Sequence, residues 1–244
     1  MASPANPGPG KVDFGKALGF VFEDPDWLKK MLLGGLCALL SVMFIGTFLI
    51  GGYFLRLVRR AARGEARPLP EWEDWGGLLV EGLLAFGVYL AHMLAVMLPL
   101  FVAGGCLLGL AAAGAGGGED RHGAEVFGAM AGLGIVALYG VLIVLSMALG
   151  LYMPAVLARL AILRRFGVVM EVRENFGFIK RNLGEYLLSL AVFLVASIIS
   201  QFGVILLCIG IFPLSFWAYC VLAYPLGQIA GRDPVLGPAA RTAG

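Results

Sequence analysis

The sequence predicts an all-α, polytopic membrane protein with about six membrane segments, paired as three hairpins and accompanied by amphipathic helices on the inner leaflet. Three observations predict it. Hydrophobic residues make up 60% of the chain and charged residues only 14%, against about 25% charged in a soluble domain. Four uncharged runs, Met31–Leu55, Gly82–Gly118, Val126–Ala158 and Tyr186–Gly231, are 25, 37, 33 and 46 residues long, where one membrane helix needs about 20. The basic residues crowd into some of the gaps between these runs and avoid one of them. The runs lack the alternation of a membrane barrel strand, so they are read as helices.

Taken in order, Met1–Gly10 is rich in Pro, Gly and Ala and is expected to be disordered, within a tail over 1–12. It has no basic segment leading into an apolar one, so no cleaved signal peptide is expected. A single integral-membrane domain is expected over 13–232, with a second disordered tail over 233–244.

The first run, Met31–Leu55, admits one tilted span or two short helices. Charge favours the hairpin, with the single span as the alternative. Lys11, Lys16, Lys29 and Lys30 precede it, and Arg56, Arg59, Arg60, Arg63 and Arg67 follow it. Basic residues are retained on the cytoplasmic side, and only a hairpin keeps both sets there. Its second helix is expected from about Gly46 to Ala62, with the arginines on its last turns, where long side chains snorkel and cations complement the helix dipole. An internal echo supports the hairpin. "GFVFEDPDWL" (Gly19–Leu28) resembles "GFIKRNLGEYL" (Gly177–Leu187) with a one-residue gap, and "IGTF" (Ile45–Phe48) echoes "IGIF" (Ile209–Phe212). Duplicated halves are common in membrane folds.

The next element is read as a helix starting at Pro70, a good first helical residue, with Glu71, Glu73 and Asp74 in the first turn. Trp72, Trp75 and Leu79 then share a face, so Pro70–Val80 is expected to lie flat on the inner leaflet. Amphipathic stripes are also expected at Phe14, Ala17, Leu18, Val21 and Phe22 and at Val168, Val169, Val172, Phe176 and Ile179. Trp27, Arg59, Arg60, Trp72 and Trp75 are the expected interfacial anchors. The second and third runs pair through Gly114–Glu125, which holds a single arginine, Arg121, and is the expected external loop. The last run is long enough for two spans, breaking near Gly210 and Pro213. Both termini are then cytoplasmic in an inner (plasma) membrane protein.

"FEDPDWLKKMLLGG" (Phe22–Gly35), "GGYFLRLVRRAARGE" (Gly51–Glu65) and "LPEWEDW" (Leu69–Trp75) resemble the domain of unknown function 4013 (DUF4013) family. The likeness is expected to continue to "YPLGQIAGR" (Tyr224–Arg232). It implies a prokaryotic multi-pass membrane protein. It implies no activity and transfers no functional residue.

Residues that could carry chemistry are few. His92 is an isolated histidine in the third span, read as a helix–helix hydrogen bonder before a proton relay. Ser197, Ser200 and Gln201 form a polar cluster at helical spacing, of the kind that joins membrane helices. Gly105-x-x-x-Gly109 and Gly128-x-x-x-Gly132 are expected to pack the third and fourth spans together, homo-oligomerisation being the rival reading. Pro99, Pro154, Pro213 and Pro225 are candidate kinks. Cys37, Cys106, Cys208 and Cys220 are read as small hydrophobes. No catalytic residue, cofactor, metal or nucleic acid is expected. The expected partners are the lipid bilayer and a membrane or cytoplasmic protein. A non-enzymatic membrane scaffold or partner-binding protein is the first functional expectation. The alternative is a channel or small-solute transporter, and an intramembrane enzyme has least support.

Overall fold

The computed structural model describes residues 12–116, 121–205 and 209–242, with side chains described outside 114–124. The described residues form α-helices, 3-10 turns and loops, and no strand is present among them. Contacts divide the chain into two compact units: the described residues of Met1–Val88 with Met153–Gly244, and Tyr89–Tyr152. The tail expected over 1–12 lies outside the described residues except for Val12.

In the first unit, α1 (Phe14–Gly19) starts where Asp13 accepts the Lys16 N–H at 2.9 Å, an N-cap. A 3-10 turn over Phe20–Glu23 follows. Ala17, Phe20 and Val21 are buried, and Phe20 stacks on Tyr224 with ring centres 4.4 Å apart. The stripe expected to meet lipid here therefore packs largely on protein, and Phe22 is the member left exposed.

The run Met31–Leu55 is divided between α2 (Trp27–Leu40) and α3 (Ile45–Ala62), joined by a 3-10 turn over Ser41–Met43. The break has local causes. Ser41 Oγ donates to the Cys37 carbonyl at 3.0 Å, competing with the helix ladder. Phe44 adopts φ 65°, outside the helical region. At Gly46 a Cβ would stand 1.8 Å from the Cys37 carbonyl oxygen, so only glycine lets the two chains turn this closely. α3 ends in a Schellman motif: Gly64, at φ 70°, donates to Ala61, and Glu65 donates to Arg60.

The next helix, α4 (Trp75–Gly116), begins five residues later than Pro70. Asp74 supplies the cap, its carboxylate accepting the Gly77 N–H at 2.9 Å. A side chain that accepts from the first turn outweighs a proline that merely tolerates it. Trp72 is consequently not helical. It does not share a helix face with Trp75 and Leu79. It is buried, stacked on Tyr53 at 4.6 Å and 5.8 Å from the Phe216 ring.

α5 (Arg121–Leu163) carries Pro154. The neighbouring Ala155 N–H is taken by the Tyr186 hydroxyl at 3.1 Å. α6 (Val172–Arg181) follows a 3-10 turn over Phe166–Met170. It buries Asn175 and Phe178 and leaves Val172 and Phe176 exposed beside Arg173, Glu174 and Lys180. α7 (Leu183–Gln201) ends in a 3-10 turn over Phe202–Ile205, and α8 (Ile211–Arg232) is the central helix of this unit. Pro213 falls in its first turn, where the missing N–H costs nothing. The two echoed words, Ile45–Phe48 and Ile209–Phe212, each lead into the second helix of a pair.

Residues 233–242 depart from the expected disordered tail. Asp233 accepts the Val235 and Leu236 N–H groups, and α9 (Gly237–Thr242) buries Ala240 while Leu236 is buried just before it. The Asp233 carboxylate and the buried Leu236 and Ala240 side chains anchor this segment to the first unit.

In the second unit, the C-terminal part of α4 meets the N-terminal part of α5. A Cβ at Gly104 would meet Leu138 at 3.1 Å, and one at Gly134 would meet Leu107 at 3.2 Å. The expected packing residues Gly105, Gly109, Gly128 and Gly132 have nothing within 4 Å. The small-residue contact is therefore one residue away in α4 and two away in α5, because neighbouring positions on a helix point about 100° apart. Of the expected external loop Gly114–Glu125, residues 117–120 lie outside the described residues and both flanks are helical. Phe101, Leu133, Val136 and Met147 are among the large apolar side chains left exposed.

Among the described residues, three helices are long and apolar enough to cross a membrane: Trp75–Ala113, Glu125–Leu163 and Leu183–Ile205. This is a helical membrane protein by length, composition and the exposure of its apolar side chains.

Candidate functional site

The charged residues of the first unit gather where helices begin and end. The basic-then-acidic order of Arg59–Gly77 closes on itself in space. Arg56 donates to Asp74 at 2.8 Å and to Glu81 at 3.2 Å. Arg59, on the next turn of α3, donates to the other Glu81 oxygen and to the Ala161 carbonyl of α5 at 3.2 Å. Arg60 and Arg63 both bind Glu65, and Arg60 also reaches the Leu69 carbonyl at 2.7 Å. The loop between α3 and α4 is thus held by cations leaving one helix and anions entering the next.

A second cluster ties the N-terminal segment to this loop. Lys30 is 3% exposed and Asp24 5%. They pair at 2.9 Å, and Glu71 is a second carboxylate on the Lys30 ammonium. The Trp72 indole N–H donates to the Lys30 carbonyl at 3.2 Å. A buried ammonium needs such partners, since an isolated one would lose its proton. A third cluster joins Arg159 and Arg165 to Glu171. A fourth sets Asp233 against Arg181 at 3.0 Å and Asn182 at 2.8 Å, and Arg232 lies 3.5 Å from Glu185.

Two of these carboxyls titrate abnormally. The Gly77 N–H and then the Arg56 guanidinium hold Asp74 below the usual carboxylate range. For Asp233, burial pushes upward, but the hydrogen bonds from Arg181, Asn182, Leu236 and Val235 together outweigh it and leave the carboxyl low. Both are therefore held ionised as structural acceptors.

Next to the Arg59–Glu81 pair lies an open cavity of about 490 Å³. Leu55, Leu84 and Leu160 line it, with Phe166 and Arg164 among its other walls. Arg164 holds φ 52° at the end of α5 and is over half exposed, 3.9 Å from Glu81. The arrangement is apolar below and cationic at one wall.

The residues expected to act as a group are distributed as follows. Of the interfacial anchors, Trp75 is 42% exposed and Trp27 is half-buried, its ring 5.1 Å from Phe22. Arg59 and Trp72 are buried in protein, and Arg60 is half-buried in its ion pair. His92 lies in the second unit with its ring 5.4 Å from Tyr152. Ser200 Oγ donates to the Ser197 carbonyl of its own helix at 2.7 Å, and Gln201 is exposed. His92 and the Ser197–Gln201 cluster lie in different units. Sequence reasoning missed Lys30 with Asp24, Glu81 as the acceptor of two arginines, and Asp233. The signal available was that each is an acid or base at the edge of an apolar run. Pairing partners up to 52 positions apart leave no local pattern.

Comparison with curated proteins and with solved structures gave no match. The pattern of one family, described as Protein of unknown function (DUF4013), matches residues 35–209. The match includes Leu69–Trp75 and stops short of Asp24–Trp27 and of Tyr224–Arg232, so the likeness is narrower than the sequence words suggest. It still covers well over half of the chain, which belongs to the DUF4013 family.

Proposed function

We propose that this is a non-enzymatic scaffold of the inner (plasma) membrane, which binds a membrane or cytoplasmic protein partner at its inner face. In this reading α2, α3, α4, α5, α7 and α8 enter the membrane as three hairpins. Both termini are cytoplasmic, and α1, the loop over 63–74, α6 and α9 lie on the inner side.

One observation carries the reading. Ion pairs join the end of α3 to the start of α4, the end of α5 to α6, and the start of α7 to the end of α8. Charges concentrated at helix ends, with apolar side chains exposed along α4, α5 and α7, are what a bilayer demands of a polytopic bundle. α6 adds a surface that is half apolar and half charged, suited to the headgroup layer.

A photo-crosslinker at Arg173 or Glu174, both exposed on α6, tests partner binding in cells. The expected result is one specific adduct that is absent when the crosslinker is moved to Met147. Solute flux in reconstituted vesicles, with no adduct, would replace this reading by the channel or transporter. The topology is tested by a cysteine at Ser3 in a background lacking the native cysteines. An impermeant thiol reagent added to intact cells should leave it unlabelled.

A further inference from the structure

We propose that the α2–α3 hairpin is re-entrant: it enters from the inner side and its turn, Val42–Ile45, ends among the acyl chains without reaching the outer surface. The proposal rests on the membrane reading above and departs from it in one respect, since this hairpin does not cross.

Length is the first argument. All of α2 is 14 residues, or about 21 Å at 1.5 Å per residue. The hydrocarbon core is about 30 Å thick. α3 has 18 residues, but its last turns carry Arg56, Arg59 and Arg60. Its apolar part, Ile45–Leu55, extends only about 16 Å.

The chemistry of the turn is the second argument. A hairpin that crosses must place its loop in the far headgroup layer or in water. Val42, Met43, Phe44 and Ile45 are 79%, 71%, 67% and 56% exposed. No charged residue lies between Lys30 and Arg56. Four large apolar side chains standing clear of the protein at a loop tip are costly in water, at about 25 cal/mol per Å², and suited to hydrocarbon. The stretch of sequence between α4 and α5, by contrast, carries Glu119 and Asp120, and α5 opens on Arg121.

The backbone is the third. Irregular structure in hydrocarbon is excluded when its polar groups go unpaired. Here the Ser41 N–H reaches Ala38 and Leu39, the Phe44 N–H reaches Ser41 at 3.0 Å, and the Thr47 N–H reaches Phe44 at 3.1 Å. The Ser41 hydroxyl is used on the Cys37 carbonyl. These three N–H groups and the Ser41 hydroxyl are thus paired inside the hairpin itself. The occupant of its exposed surface is therefore lipid acyl chain, and the outer leaflet runs unbroken above it.

The test uses the full-length protein in cells, with the native cysteines replaced and single cysteines at Met43, Glu125 and Arg173. An impermeant thiol reagent is applied to intact cells and to inverted vesicles. Met43→Cys should react from neither side, and only after detergent. Glu125→Cys should react from outside and Arg173→Cys from inside. Labelling of Met43→Cys from outside overturns the proposal in favour of a crossing hairpin, and labelling from inside overturns it in favour of a cytoplasmic one. Loss of sidedness at Glu125 and Arg173 would instead refute the membrane reading on which it rests. A fluorophore on Met43→Cys supplies an independent readout. It should be quenched more by lipids brominated deep in the acyl chain than by lipids with a quencher at the headgroup, and the reverse order overturns the proposal.

Discussion

Arg59 of α3 and Glu81 of α4 face each other as a nearly buried ion pair, their side chains 10% and 13% exposed. A second Arg59 nitrogen reaches the Ala161 carbonyl at 3.2 Å, so one guanidinium joins three helices. The pair lies beside the cavity and at the polar edge of three apolar helices.

Breaking this pair from one side should be costly. Glu81→Gln leaves Arg56 and Arg59 without their shared carboxylate, and a loss of about 3 kcal/mol or more is expected. Replacing both Arg59 and Glu81 by methionine removes the charge and keeps the volume, and it should cost much less than the sum of the single changes. Thermal unfolding in detergent measures all three variants. A double variant as unstable as the summed singles would show that the pair matters for its hydrogen bond to α5 and not for charge balance.

The C-terminal segment should be acid-labile. Asp233 is held below the usual carboxylate value of about 3.9. The stability this supplies is full above that ordinary value and is lost as pH falls through the lower folded-state value. Asp233→Asn should therefore lower the unfolding temperature at neutral pH, by an amount that stays constant down to about pH 5. The gap between the two proteins should then shrink below about pH 4. A gap independent of pH throughout would mean that Asn182 and the Leu236 N–H, not the charge, dominate the site.

Close packing should follow the observed glycine contacts and not the G-x-x-x-G words. A Cβ at Gly82 would lie 1.6 Å from the Phe48 carbonyl oxygen, and one at Gly52 would lie 2.0 Å from that of Leu78. Gly82→Ala and Gly52→Ala must push α3 and α4 apart, at an expected cost of about 1–3 kcal/mol each. Gly109→Ala and Gly128→Ala enter open space and should be neutral or stabilise by a few tenths of a kcal/mol, since alanine is the better helix former. Melting curves in detergent separate the two pairs. If the Gly109 and Gly128 variants instead change the oligomer size by light scattering, those glycines face another copy of the chain.

His92→Gln should preserve insertion and folding. The ring lies against Tyr152 at 5.4 Å, a contact worth about 1 kcal/mol. Glutamine keeps a polar group that can hydrogen-bond between helices. Normal protein levels with abolished function would revive the transporter alternative.

Much of the fold is legible from composition because a bilayer imposes it. Long uncharged stretches must become helices, since no water is present to satisfy a free backbone. The break inside Met31–Leu55 was legible from the placement of lysines and arginines around it, and the observed α3 start, Ile45, stands beside the expected Gly46. Helix starts were less so: Pro70 is a plausible first residue, and only the Gly77 N–H on Asp74 shows which residue caps α4.

What the sequence by itself determined is the class: a helical membrane protein of the DUF4013 family, with its cations gathered at particular ends of its helices. What only the tertiary structure decided is which charges meet and which faces touch. Trp72 is buried against Tyr53 and Phe216, and Asp233, which accepts from the Val235 and Leu236 N–H groups, is held by Arg181, 52 positions earlier. Glycine contact fell on Gly52 and Gly82 and passed over Gly109 and Gly128. The physical reason is the range of the forces. Hydrophobic partition acts on each segment alone and can be read from a window of about 20 residues. Ion pairing and close packing depend on partners brought together only by the folded chain.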